Sequence, residues 1–97
     1  MDIDVAITQI SRLKYLLSLP NVDVAWSRYD CADEVIKDLE LLEKGVLNRD
    51  EDAISQLLYL LAPTGALQEI SIGSGWGEEF LIIADILEVA LSKRMSK

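Results

Sequence analysis

With 97 residues, 51% of them hydrophobic and only two prolines, the chain has room for one domain around one core, and neither disorder nor a second independent core fits it. A formal net charge of −8 and a pI near 4.3 repel nucleic acid and anionic membranes and attract cationic partners, so direct DNA or RNA binding is disfavoured. A single cysteine, Cys31, excludes an intramolecular disulfide and fits a structural thiol in a reducing cytoplasm, while the acidic start Met-Asp-Ile-Asp lacks the basic flank of a secretory signal. No apolar run approaches the roughly 18 residues that a bilayer-spanning helix needs, so the expected location is cytoplasmic, away from membranes.

Taken in order, Ile3, Ile7, Ile10, Leu13 and Leu17 recur at spacings of three and four, with Asp4, Gln9, Arg12 and Lys14 mostly on the other side. This predicts an amphipathic helix over 3–18, favoured at its start by Asp2 and Asp4 and stopped by Pro20. From Asn21 to Tyr29 the period is lost, but Val22, Val24, Ala25, Trp26 and Tyr29 carry enough apolar surface to pin a connection onto the core. Asp30 is the expected N-cap of a second helix that buries Ala32, Val35, Ile36, Leu39 and Leu42 and exposes Asp33, Lys37, Asp38, Glu40 and Lys44. Gly45 is the expected C′ residue.

A third helix, capped by Asn48 or Asp50, buries Ile54, Leu57, Leu58 and Leu61, with Tyr59 and Leu60 widening the stripe and Pro63 ending it. The stretch 62–80 then concentrates four of the five glycines and one of the two tryptophans. Within it, Ala66 to Ile72 reads as a short helix with Leu67, Ile70 and Ile72 inward and Gln68, Glu69 and Ser71 outward. A strand over Leu67 to Ile72 is the competing reading, disfavoured because it has no partner strand. Gly73, Gly75 and Gly77 permit a sharp bend that lays Trp76 either against the core or outward as an anchor for a partner. The last helix, Glu78 to Met95, is apolar over most of its circumference, which predicts burial at the bundle centre or contact with a second chain. Short connections imply antiparallel neighbours, and the expected fold is one all-α domain over 1–97, a compact bundle of four to five helices.

The chemistry of catalysis is sparse. The absence of histidine removes the commonest general base and metal ligand, and with one cysteine no zinc site of the usual composition can form. Gly73-Ser74-Gly75-Trp76-Gly77 lacks the preceding strand and the lysine of a phosphate loop. Ser74 reads as an N-cap, because the bases available to activate it, Glu78 and Glu79, are explained as first-turn residues. Asp50-Glu51-Asp52 lacks the ligand spacing of a calcium loop. The chain is therefore not expected to be an enzyme or to hold a cofactor or metal.

Charge is distributed unevenly. Between Arg49 and Lys93 there is no base, while Asp50, Glu51, Asp52, Glu69, Glu78, Glu79, Asp85 and Glu88 all fall there and together equal the whole formal charge of −8. The motifs Ala-Pro-Thr-Gly-Ala-Leu-Gln-Glu-Ile-Ser at 62–71 and Gly-Trp-Gly-Glu-Glu-Phe at 75–80 resemble small, acidic, all-helical bacterial immunity proteins of polymorphic toxin and contact-dependent growth inhibition systems. That resemblance implies neutralisation of a delivered, often cationic nuclease toxin by direct binding. The candidate contact residues are Asp50, Glu51, Asp52, Gln68, Glu69, Trp76, Glu78, Glu79, Asp85 and Glu88. The alternative is an adaptor module that dimerises through its apolar last helix.

Overall fold

The computed structural model describes residues 2–20, 22–24, 29–62 and 65–92, and these form five helices with no strand among them. They are α1 (Ile3–Leu17), α2 (Ala32–Leu47), α3 (Glu51–Leu60), α4 (Ala66–Ser74) and α5 (Gly77–Ser92). The expectations for Asn21, for 25–28 with Trp26, for Pro63 and Thr64, and for the basic tail from Lys93 lie outside the described residues. α1 packs between α2 and α5; α3 packs on α2, and α4 on α5. One contiguous core results, with Ile10, Leu13, Leu17, Leu39, Ile54, Leu57, Leu67, Ile70, Phe80, Ile83, Leu87 and Leu91 fully buried. Each contributes roughly 1.5–3 kcal/mol of transfer free energy. The radius of gyration, 12.6 Å, is that of a compact chain of this length.

Helix starts follow from donors that need acceptors. Asp2 caps α1, its Oδ1 accepting from the Val5 N–H at 3.2 Å, while its own N–H donates to the Ala90 carbonyl at 3.0 Å and ties the start of α1 to the end of α5. Asp50 caps α3 by accepting from the Asp52 N–H at 3.0 Å. Asp30, however, does not cap α2. The helix begins one residue later, so Cys31 occupies the N-cap without a side-chain bond, and Glu34 reaches back to accept from the Asp30 N–H at 2.9 Å. Cys31 is exposed. Tyr29, buried, donates its hydroxyl to Asp38 Oδ2 at 2.8 Å, which anchors the entering chain to α2. A half-buried Lys14–Glu43 ion pair at 2.8 Å joins α1 to α2.

Several side chains depart from the periodicity. Gln9 is buried on α1 and its Oε1 has no partner among the described residues, a desolvation cost of about 1–3 kcal/mol. On α4 the spacing 67, 70, 71 sets the inner face, so Ser71 is inside, donating its hydroxyl to the Gln68 carbonyl at 2.8 Å, and Ile72 is exposed. Tyr59, expected to widen the α3 stripe, is 73% exposed because α3 has only α2 as its main neighbour.

Gly45 is not a C′ residue. It lies inside α2, where an added Cβ would overlap the Ala53 Cβ, so its small size is what lets α2 and α3 cross closely. The left-handed position falls to Arg49 at φ 56°, from which the Arg49 N–H donates to the Val46 carbonyl at 3.0 Å and the Asp50 N–H to the Gly45 carbonyl at 2.8 Å. These are the paired bonds of a Schellman turn. Two opposite effects follow. Gly45→Ala gains helix propensity but loses more to the overlap, and is expected to destabilise by about 1–2 kcal/mol. Arg49→Gly relieves the left-handed strain and is expected to stabilise by about 0.5–1 kcal/mol. Urea unfolding midpoints of the two variants, moving in opposite directions at unchanged slope, check both.

Candidate interaction surface

The bend at 71–80 is a second Schellman turn. Gly75 adopts φ 88°, the Gly75 N–H donates to the Ile72 carbonyl at 3.3 Å and the Trp76 N–H to the Ser71 carbonyl at 3.0 Å. An L residue at Gly75 would meet no atom, so the requirement there is backbone conformation alone. Trp76 follows at the position whose side chain turns back onto the helix it leaves; it is 6% exposed, and its carbonyl accepts from the Phe80 N–H as α5 begins. Of the two orientations open to Trp76, the fold takes the core. Ser74 is not an N-cap: it closes α4, and its Oγ accepts from the Asp23 N–H at 2.8 Å, tying the loop after α1 to the bend.

The bend also sets the rotation of α5. Phe80, Ile83, Ala84, Leu87, Ala90 and Leu91 enter the core, while Leu81, Ile82 and Val89 are each more than half exposed. Burial of α5 at the bundle centre is therefore not what the fold gives, since among the described residues its main neighbours are α1 and α4. Glu78, Leu81, Ile82, Asp85, Glu88 and Val89 fall at the three- and four-residue spacings of one helix face, so carboxylates and exposed apolar side chains share one outward stripe. Glu79 lies about 100° around the helix, in a groove with Arg12 and Tyr15 of α1. Glu78 and Glu79 thus diverge and do not form a carboxylate pair.

The remaining acidic candidates are dispersed. Asp50, Glu51 and Asp52 start α3, on the α2–α3 hairpin, whereas the α5 carboxylates belong to a helix packed on α1 and α4. Glu69 is exposed in the first turn of α4, and Gln68 is half-buried with an Oε1 that is shielded and unpartnered among the described residues. What is one acidic run in sequence is divided among the α2–α3 hairpin, Glu69 on α4, Glu79 in the α1–α5 groove, and the outward stripe of α5. Among the described residues no cluster of Cys, Asp or Glu could hold a metal ion, and no helix is long and apolar enough to cross a membrane.

A second exposed apolar pair escaped the periodicity. Leu41 and Tyr59, 65% and 73% exposed, flank a groove of about 400 Å³ between α2 and α3, with Asp38, Leu42, Ser55, Gln56 and Leu60 completing its wall. The available signal was Leu41 itself, an apolar residue on the polar side of α2 between Lys37 and Lys44.

These features define a small all-α bundle with two outward apolar surfaces of different charge. No protein family, curated protein or solved structure matches the chain.

The division between core and surface on the two sides of this bend is measurable. Trp76→Ala is expected to cost about 3–5 kcal/mol, as truncation of a buried aromatic does. A Leu81→Ser, Ile82→Ser double variant is expected to stay within about 0.5 kcal/mol per site of the parent, since both positions face outward. Thermal and urea unfolding followed by circular dichroism distinguish the two.

Proposed function

We propose that the protein is an immunity-type inhibitor that captures a cationic toxin domain on the outward stripe of α5 and occludes it without chemistry of its own. The observation that carries this reading is the stripe itself, in which Glu78, Asp85 and Glu88 alternate with the exposed Leu81, Ile82 and Val89. Each half of the pattern has a task in binding. Carboxylates on a stripe with no base among its described residues steer a basic domain into encounter and raise the association rate. Exposed apolar side chains among them supply the desolvated anchors that slow dissociation. The resemblance at 62–71 and 75–80 supports the same reading, with the buried Trp76 serving to hold α5 in place. The other reading, a homodimer through α5, sets the same carboxylates of two copies against each other, which the charge pattern disfavours.

The test is affinity for the toxin encoded immediately upstream, measured as a function of salt. Glu78→Gln with Asp85→Asn is expected to lower the association rate about tenfold and flatten its salt dependence. Leu81→Ser with Ile82→Ser is expected to raise the dissociation rate about tenfold or more. Absence of binding, or binding that neither pair of substitutions weakens, sinks the proposal.

A further inference from the structure

The α2–α3 groove carries charge of both signs, and that distinguishes it from α5. On α2, Lys37 and Lys44 lie four residues before and three after Leu41, so both bases flank the exposed leucine along the outer wall. On α3, Asp52 stands seven residues before Tyr59, on the same side of the helix, near the hairpin turn. Gly45 and Ala53 touch at that end, so their neighbours Lys44 and Asp52 are at the same level along the groove. Neither is in an ion pair: the pair found among the described residues is Lys14–Glu43, elsewhere on α2.

We infer that this groove is a homodimer interface, with a second copy of the chain as its occupant. A twofold axis lying along the groove places α2 of each copy over α3 of the other. Lys44 of one protomer then meets Asp52 of its partner, twice by symmetry, and each Leu41 enters the opposite groove beside Gln56 and Tyr59. The Lys44–Asp52 contact is self-complementary in sign. Charge also selects this face among those the molecule offers. Two copies of a chain of net charge −8 repel, and they repel least where the bases are. Outside the Lys14–Glu43 pair, the bases among the described residues are Lys37 and Lys44 on α2, Arg49 at its turn, and Arg12 on α1. The α5 stripe has none. The inference does not rest on toxin binding, because α1 separates α2 and α3 from α5.

Sedimentation velocity on the full chain, from roughly 1 μM to 1 mM, reads the association directly. A concentration-dependent dimer is expected. Leu41→Gln and Tyr59→Gln, neutral changes at exposed positions, are expected to weaken it about tenfold or more each with the helical circular dichroism unchanged. Lys44→Glu and Asp52→Lys are each expected to weaken it, and the double exchange to restore it, which a merely structural role for either residue would not produce. A monomer throughout overturns the inference. So does a dimer that is lost in Leu81→Ser, Ile82→Ser but retained in the groove variants, or a double exchange no better than the single ones.

Discussion

A helix that reverses direction within three residues has to satisfy its own last carbonyls and the next helix's first amides with the same few groups. This chain meets that constraint twice, and the rest of the fold depends on how. At the α2–α3 corner, Asp50 donates its N–H to the Gly45 carbonyl, closing one helix, and accepts from the Asp52 N–H with its side chain, opening the next. At the α4–α5 corner, Trp76 donates to the Ser71 carbonyl and accepts from the Phe80 N–H, again serving both helices. Each corner needs one left-handed residue, and the sequence fills them differently: glycine at 75, arginine at 49. With both turns so tight, α3 lies directly on α2 and α4 on α5, and α1 bridges the two pairs.

Much of this architecture was legible from spacing. The all-α class, the helices and most of their inner faces follow from apolar residues three and four apart, and of the two caps the sequence offers for α3, Asn48 and Asp50, the fold uses Asp50. What was not legible is instructive about cause. Gly45 looked like a terminator because glycine at a helix end usually is one; that it fills a crossing point depends on Ala53, a contact between two helices that neither pattern contains. Asp30 looked like a cap because aspartate caps well, yet where α2 starts was decided by Glu34 reaching back to the Asp30 N–H and by the Tyr29–Asp38 bond. Ser71 and Ile72 exchanged sides because a nine-residue helix offers too few periods to fix its rotation, which the Trp76 corner fixes instead.

The candidate surface was legible only in part, and for a related reason. Charge can be counted along a chain, but whether carboxylates converge depends on which helices carry them. The acidic run from Asp50 to Glu88 is divided among the α2–α3 hairpin, α4 and two sides of α5, so its summed charge does not describe any single face. The periodicity of α5 pointed to apolar residues over most of its circumference, and the fold shows that α1 and α4 cover less than that.

That excess is the basis for the proposal that the α5 stripe binds a partner. Leu81 and Ile82 face outward, so polar residues there would cost the bundle little and would lower its tendency to aggregate. The carboxylates beside them add mutual repulsion with no base on α5 to offset it. Either feature alone has a bland account: scattered apolar residues are ordinary on surfaces, and acidity maintains solubility. Their interleaving on one stripe is harder to explain that way, since solubility would be served better by carboxylates without the apolar side chains. The proposed basic partner, with an apolar contact region, would answer both at once, neutralising the repulsion and covering the exposed side chains in the same event.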